Sequence, residues 1–155
     1  MTVYSSDDIA DISANFSLNP RLEKDSLLIT RHSGCQIRLM NDARYLWLIL
    51  VPEINAITDW HDLPEEREHA MMSLTKYLSK EIKDHENADK INIASLGNIV
   101  NQFHLHLIVR HNGDAAWPGP VWGIGHAEAF DNDSAQDRCH MLLRIIEAAP
   151  AAYFF

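Results

Sequence analysis

Two histidines separated by a single residue, His104 and His106, are the side chains in this sequence best suited to chemistry at neutral pH. They lie in residues 102–108, which read Gln-Phe-His-Leu-His-Leu-Ile and alternate polar with apolar residues over most of their length. Imidazole has an ordinary pKa of about 6.5, so much of it is uncharged near neutrality and can act as a nucleophile, a base or a metal ligand. This pair is therefore the first candidate for a functional site.

The alternation predicts a β-strand over residues 103–109, because successive side chains of a strand point to opposite faces of the sheet. Gln102, His104 and His106 then share one face, while the apolar residues between them face the core. Residues i and i+2 of a strand have Cα atoms about 6.5 Å apart, so both imidazoles cannot attack one atom. One could be a nucleophile while its neighbour binds a phosphate oxygen, or both could bind one metal ion.

Three interpretations of the pair stay open from the residues alone. Both histidines could be ordinary polar residues on a solvated sheet face, since the chain has nine histidines. A metal site would need further ligands, and the candidates His111, Asp114 and His126 do not follow the pair at a familiar ligand spacing. The third interpretation, a nucleophilic histidine, requires no metal.

Four further segments alternate in polarity or are nearly continuously apolar, as β-strands are. These segments are residues 26–31, 36–40, 45–51 and 90–95. Asn41 and Asp42 predict a turn between the second and third of them. Gly97 and Asn98 predict a short turn before the strand that carries the histidines, which favours antiparallel pairing of the two strands.

Apolar residues at helical spacing predict one long helix and a second helix near the end of the chain. The long helix begins after Asp62, has Pro64 near its first turn and ends at about His85. The last helix is expected to be capped by Asp133 or Ser134.

Residues 1–25 are expected to form a peripheral N-terminal segment. Ser5 or Ser6 could cap a short helix over residues 7–15, and Pro20 would stop any continuation of that helix. The segment is polar and acidic at its start, unlike a signal peptide.

The order of elements predicts an α+β fold with a mainly antiparallel sheet of about five strands, one long central helix and a C-terminal helix. A chain of 155 residues has the usual length of one domain, so we expect a single domain over residues 1–155. Residues 26–123 would form its motif-bearing core, and residues 124–155 the C-terminal helix and tail.

Charge and composition restrict the kinds of molecule that this protein is expected to bind. The formal net charge of −9, without a basic run, disfavours a nucleic-acid polymer but permits a small anionic substrate. The longest apolar run is too short to span a bilayer, so we expect no membrane partner and a cytoplasmic location. Cys35 and Cys139 show no CxxC spacing and favour a reducing compartment.

Residues 102–108 resemble the signature of the histidine-triad (HIT) superfamily, in which three histidines alternate with apolar residues. The similarity extends to residues 40–42, 50–52 and 92–98, and downstream to residues 117–120. The resemblance implies a HIT-like fold that usually forms a homodimer. It also implies release or transfer of a nucleoside monophosphate from a dinucleoside polyphosphate, a phosphoramidate or a related nucleotide, with no metal or other cofactor.

The resemblance assigns roles to individual residues. His104 matches the nucleophile that attacks the α-phosphate and forms a nucleotidyl-histidine, which water then hydrolyses, and His106 matches a phosphate-contacting histidine. Asn92 and Asn98 match residues that hydrogen-bond the phosphate or the bridging oxygen. Asn41 matches a ribose-contacting position.

Two residues depart from the family pattern. Gln102 replaces the first histidine of the triad, and Asn55 stands where some branches have a histidine. We keep Gln102 among the catalytic candidates because an amide can orient its neighbours, although it cannot relay a proton near neutrality. The departures leave two alternatives open, a metal-dependent enzyme with an HxH motif and a nucleotide-binding module with little catalysis. Arg110 lies on the same predicted face as His104 and could add positive charge.

Overall fold

A computed structural model describes residues 15–150 of the chain. The helices are α1 (Pro20–Asp25), α2 (Glu65–His85) and α3 (Asn132–Glu147), with a 3-10 turn at Trp60–Asp62. The strands are β1 (Ser26–His32), β2 (Cys35–Met40), β3 (Trp47–Pro52), β4 (Lys90–Ala94) and β5 (Leu105–Arg110). The helix predicted over residues 7–15 lies outside the described residues, apart from its last position.

The five strands form one antiparallel sheet in the order β1-β2-β3-β5-β4. Strand β5, which carries His106, is paired on one side with β3 and on the other with β4. The predicted α+β fold, with five antiparallel strands, one long helix and a C-terminal helix, is confirmed.

Helix α2 covers one face of the sheet. Its 21 residues end at His85, as the sequence predicts, and acidic residues in its first turn interact favourably with the helix dipole. Its buried aliphatic residues recur every three or four positions and are Met71, Leu74, Leu78 and Ile82. Neither this helix nor any other within residues 15–150 is long and apolar enough to cross a lipid bilayer.

The two faces of the sheet bury different kinds of side chain. One face packs against α2 and α3 through aliphatic residues such as Leu48 and Leu107, which are completely buried. The opposite face carries a row of directly paired residues from three neighbouring strands, Arg38, Ile49 and His106. We term this second face the histidine face.

The histidine face is covered by α1 and by irregular segments of the chain. The side chains that pack onto it include Phe16, Leu18, Leu22, Val121 and Trp122. His104 and His106 are consequently only 6% and 5% exposed. The interpretation of the pair as polar residues on a solvated face is wrong, because segments distant in the sequence fold over that face.

The described part of the N-terminal segment, residues 15–25, packs onto the histidine face. Pro20 begins helix α1, and the Asn19 side chain caps this helix by accepting a hydrogen bond from the backbone of Arg21 at 2.9 Å. Proline suits the first helical turn because its missing N–H needs no partner there. Leu22 of this helix is 6% exposed and joins the core of the histidine face.

Helix α3 begins earlier than predicted. Its N-cap is Asp131, whose carboxylate accepts a hydrogen bond from the backbone N–H of Ser134 at 2.8 Å. The predicted caps, Asp133 and Ser134, are both already inside the helix. The Asp131 carboxylate thereby satisfies one of the free N–H groups of the first helical turn.

Strand β5 begins at Leu105, two residues later than predicted. The backbone N–H of Phe103 donates to the carbonyl of Ile57 at 2.9 Å, outside the pairing between β3 and β5. Gln102 therefore lies in a bend, and His104 immediately precedes the strand. The prediction that Gln102 belongs to the same strand face as the two histidines is wrong for this reason.

Both cysteines are free thiols, with Cys35 buried and Cys139 partly buried. Burial raises the pKa of the Cys35 thiol to about 12, so it stays protonated at neutral pH. A protonated buried thiol behaves as a small apolar core residue.

Replacing Gly34 with alanine should destabilise the fold. Gly34 has a φ of +67°, a conformation that costs a residue with a Cβ atom about 1–2 kcal/mol. The added methyl group would also take the position of the Arg67 guanidinium, so this flexible side chain would have to move and lose its present contacts. We expect urea unfolding to show a loss of more than about 1 kcal/mol in the free energy of unfolding.

Gly123→Ala is the matched control for this prediction. Gly123 has a φ of +80°, yet nothing lies within 4 Å of the position that its Cβ would take. Its loss of stability should therefore be smaller than that of Gly34→Ala. Equal losses in the two variants would mean that the Arg67 contact has no effect on stability.

Candidate active site

The ring of His104 is held by the backbone that leads into β5. Its Nδ1 lies 2.7 Å from the carbonyl oxygen of Gln102. A carbonyl oxygen can only accept a hydrogen bond, so Nδ1 carries the ring proton and Nε2 has a lone pair. Among residues 15–150, none forms a hydrogen bond with Nε2. His104 therefore has one nitrogen fixed and the other available to a ligand.

His106 has the opposite tautomer. Its Nδ1 accepts a hydrogen bond from the indole Nε1–H of Trp47 at 2.9 Å. An indole N–H can only donate, so the ring proton of His106 is on Nε2. The two imidazole rings are 4.7 Å apart between centroids, at an interplanar angle of 76°. The pair thus offers one lone pair and one N–H donor side by side.

Both rings are neutral at pH 7. Burial lowers the pKa of His104 below its ordinary 6.5, and the hydrogen bond to the Gln102 carbonyl opposes this shift. Burial lowers the pKa of His106 to about 3, with a further contribution from charge repulsion by His104. A neutral His104 can act as a nucleophile, and a neutral His106 can donate a hydrogen bond without relaying a proton near neutrality.

The contact between Trp47 and His106 was not predicted from the sequence, in which Trp47 was only one of four tryptophans that could stack on a base. Besides its bond to His106, it packs edge-on against Trp122 with ring centroids 5.5 Å apart. Trp122 in turn lies 5.2 Å from the His106 ring. The sequence places Trp47 on a predicted strand. Its contact with His106 could be predicted only with the knowledge that β3 and β5 are neighbouring strands.

The side chain of Gln102 binds residues 15–19, which we term the strap. Its Oε1 accepts a hydrogen bond from the backbone N–H of Asn19 at 2.8 Å, and its Nε2 donates to the carbonyl of Ser17 at 2.9 Å. The amide is therefore directed to the strap, and only the backbone carbonyl of Gln102 is bonded to His104.

Asn55, the second departure from the family pattern, binds the same strap. Its Nδ2 donates to the carbonyl of Asn15 at 2.9 Å, and its Oδ1 accepts from the backbone N–H of Ser17 at 3.2 Å. The amides of Asn55 and Gln102 thus bond the backbone of alternate strap residues, as a neighbouring strand would. Asn55 and Gln102, the two residues that depart from the family pattern, therefore both hold the strap in place.

Arg110 is buried but does not supply free positive charge. Its guanidinium donates to both carboxylate oxygens of Asp114, at 2.7 and 2.8 Å. Its Nη1 donates to Oδ1 of Asn92 at 2.7 Å, so Asn92 keeps only its amide nitrogen for a ligand. The carboxylate compensates the guanidinium, which makes Arg110 an anchor for Asn92.

The candidate metal ligands do not gather around the histidine pair. Asp114 pairs with Arg110. Within the described residues 15–150, no three histidine, cysteine, aspartate or glutamate side chains are grouped so that they could hold a metal ion.

Asn41 and Asn98 both lie outside the strands of the sheet. Asn41 follows β2, and its Oδ1 accepts a hydrogen bond from the backbone N–H of Phe130 at 3.0 Å. Asn98 is exposed in the link over residues 95–104, which is longer than the short turn that the sequence predicted. Their roles towards a ligand stay predictions.

Comparisons with known proteins show the family to which this chain belongs. A model of the HIT domain matches residues 21–113. A histidine triad protein from Sinorhizobium meliloti 1021 is 40% identical, with a TM-score of 0.80 over 88% of this chain and 99% of that chain. One from Marinobacter aquaeolei VT8 is 36% identical, with a TM-score of 0.83 over 85% and 96% of the two chains. The chain therefore belongs to the histidine triad family.

A more distant match shows the same fold. A hypothetical histidine triad nucleotide-binding protein from Sulfolobus tokodaii strain7 is 16% identical, with a TM-score of 0.61. That alignment covers 83% of this chain and 88% of the other. No curated protein sequence gave a match.

Long-range ¹H–¹⁵N correlation spectra should show the two tautomers directly. At pH 7 we expect His104 to be protonated on Nδ1 and His106 on Nε2, because their hydrogen-bond partners require it. On acidification, His104 should gain its second proton below pH 6.5, and His106 only near pH 3.

Trp47→Phe is the control for the tautomer assignment. This variant keeps the aromatic ring but loses the N–H donor, so His106 should lose its fixed tautomer while His104 keeps Nδ1–H. A wild-type His106 that is doubly protonated at pH 5, or that carries its proton on Nδ1, would contradict the assigned bond.

Proposed function

We propose that this protein hydrolyses or transfers a nucleoside monophosphate by attacking the α-phosphate of a small nucleotide with Nε2 of His104. The observation that carries the proposal is the neutral His104 ring, with its proton held on Nδ1 by the Gln102 carbonyl. Membership of the histidine triad family suggests a nucleotide-binding hydrolase or transferase. The name of the Sulfolobus tokodaii protein, which has the same fold, supports a nucleotide ligand.

In the first step, the Nε2 lone pair of His104 forms a bond to the α-phosphorus. The bond from phosphorus to the leaving oxygen or nitrogen breaks, and its electron pair goes to that atom, which takes a proton from solvent. Positive charge then spreads over the imidazole of His104. The Gln102 carbonyl oxygen, 2.7 Å from Nδ1, stabilises this charge because it is the negative end of a fixed dipole.

In the second step, water attacks the phosphorus of the nucleotidyl-histidine. The phosphorus–nitrogen bond breaks, its electrons return to Nε2 of His104, and the water gives up a proton to solvent. A nucleoside monophosphate is released, and the neutral ring is restored. Covalent capture thus divides one displacement into two easier ones.

His106 and Asn92 are the proposed ligands of the non-bridging phosphate oxygens. His106 offers Nε2–H, and its low pKa keeps it neutral and in this donor form. Asn92 offers its amide nitrogen, because its oxygen is bonded to Arg110. Asn98 is the proposed donor to the phosphate or bridging oxygen, and Asn41 the proposed ribose ligand.

Gln102 is proposed as a positioning residue. Its carbonyl orients His104, and its side chain holds the strap. An amide in place of the first triad histidine therefore leaves the nucleophile in place. It removes only an imidazole that could have relayed a proton.

Single-domain organisation over residues 1–155 and a cytoplasmic location are part of the proposal. One sheet containing all five described strands supports the first. Two free cysteines suit a reducing compartment and support the second.

A covalent intermediate on His104 is the main test of the proposed function. The protein is mixed with diadenosine triphosphate or adenosine phosphoramidate and quenched within milliseconds. We expect mass spectrometry to find one adenylyl group on the peptide that contains His104. The linkage is a phosphoramidate, so acid should cleave it and base should not. Chelator should leave its formation unchanged, because the imidazole itself is the nucleophile.

His104→Asn provides the matched loss of function. Since His104 is buried, alanine would leave a cavity, whereas asparagine can still donate a hydrogen bond to the Gln102 carbonyl. We expect turnover to fall by at least about 1,000-fold with little change in thermal stability. Activity above about a tenth of wild type would exclude His104 as the nucleophile.

We also propose that the protein is a homodimer that pairs through the β4 edge. Among residues 15–150, β4 has a neighbouring strand on one side only. Ile93, Leu96 and Ile99, in and after this strand, are 49%, 41% and 76% exposed. An open strand edge with exposed apolar residues is suited to pairing with a second copy.

Light scattering after size-exclusion chromatography tests the dimer. The wild-type protein should have the mass of two chains, and Ile99→Glu should shift it towards one chain because a buried carboxylate opposes association. Ile124→Glu, at a residue that is 43% exposed in a different loop, is the control and should stay dimeric. A monomeric wild-type protein would contradict the proposal.

A further inference from the structure

A groove of about 600 Å³ lies between the histidine face and the strap. Strap residues 16–18 line one side, and Gln36 and Arg38 of β2 line the other. Arg38, Ile49 and His106 are directly paired across three neighbouring strands. Two strand spacings amount to about 10 Å, so the groove begins at that distance from the histidine pair.

The groove is cationic in a chain that is strongly acidic. Its lining contains three arginines and two glutamates, namely Arg31, Arg38, Arg67, Glu23 and Glu53. The whole chain has a formal net charge of −9. Such a local excess of positive charge attracts anions against the field of the remaining surface.

Arg38 is the buried cation of this groove, and it is only 5% exposed. Its Nε and Nη2 donate to the hydroxyl and carbonyl of Ser26 at 2.8 and 3.1 Å, and its Nη1 donates to Oε1 of Gln36 at 2.8 Å. These acceptors are all neutral. A guanidinium has five N–H groups, so one on each terminal nitrogen is left for a ligand.

Arg110 is a second buried arginine on the histidine face, and its charge is compensated within the protein. Arg110 is equally buried, and Asp114 compensates its charge with a two-point ion pair. No carboxylate within residues 15–150 forms an ion pair with Arg38. Glu23 in the groove lining attracts the Arg38 charge without forming an ion pair with it. Burial of a charge without an ion pair is costly, and an anionic ligand in the groove would reduce that cost.

We propose that the groove binds a second anionic group of the nucleotide substrate, a phosphate or a carboxylate, and that Arg38 determines this specificity. The inference rests on the proposed function, which places the α-phosphate at His104. The groove then receives the part of the nucleotide remote from that phosphate, since its distance from His104 is comparable with the length of a nucleoside. A planar guanidinium with two parallel N–H groups suits two oxygens of one anion.

Calorimetric titration of the full chain compares AMP with three analogues that carry an added anionic group. Adenosine 2′,5′-bisphosphate and adenosine 3′,5′-bisphosphate carry a phosphate on the ribose, whereas adenylosuccinate carries carboxylates on the base. At least one should bind about tenfold or more tighter than AMP, and its identity reports where the charge is recognised. If none binds more tightly than AMP, the proposal is overturned.

Arg38→Met should abolish that preference, leaving the best analogue within about threefold of AMP. Arg38→Lys keeps the positive charge but lacks the planar guanidinium with its paired N–H groups, so it should retain part of the preference. This second variant tests the role of Arg38 if Arg38→Met does not fold. Arg21→Met is the control, because Arg21 is an exposed residue of α1 that pairs with Asp25 outside the groove. An equal loss of preference in Arg21→Met would overturn the role of Arg38.

The two proposals can fail separately. An analogue preference that depends on Arg38, without an adenylyl group on His104, would overturn the proposed function and leave the groove assignment standing. Adenylylation of His104 without any analogue preference would overturn the groove assignment alone.

Discussion

The orientation of His104 depends on one hydrogen bond, from its Nδ1 to the carbonyl oxygen of Gln102. Carbonyl groups of a regular strand point in the plane of the sheet towards the neighbouring strands. The chain can therefore direct the Gln102 carbonyl at a side chain only by leaving the sheet, which explains why β5 begins at Leu105. His106 lies in the regular strand, and its proton is instead positioned by Trp47 on the adjacent strand. The regular strand pairing begins only after His104, and the two neighbouring imidazoles have opposite tautomers for this reason.

Burial of polar groups on the histidine face is compensated in three different ways. The two imidazoles remain neutral, because desolvation lowers their pKa values. Arg110 keeps its charge next to the carboxylate of Asp114. Arg38 keeps its charge with neutral hydrogen-bond acceptors, and Glu23 attracts it without forming an ion pair. A buried charge that has no ion pair within the protein is a group through which an anionic ligand can gain binding energy.

The features that could be predicted from the sequence depend on local periodicity. The helix ending at His85 and the alternation around His106 are patterns of neighbouring residues, so the elements and the fold class follow from them. The bond between Trp47 and His106 joins residues 59 positions apart, and the bond between Gln102 and Asn19 joins residues 83 apart. Local patterns contain no information about such pairs. For the same reason the sequence left a solvated face open as one interpretation, and it did not reveal that the Gln102 side chain binds the strap.

The position of the strap backbone does not depend on the identity of the strap side chains. Asn55 and Gln102 bind only backbone groups of the strap, so the anchor does not depend on which side chains the strap carries. Phe16 and Leu18, which line the groove, take no part in these bonds. Relatives that keep the two amides can therefore evolve different residues at positions 16 and 18, and so a different groove lining, while the backbone that holds His104 is unchanged.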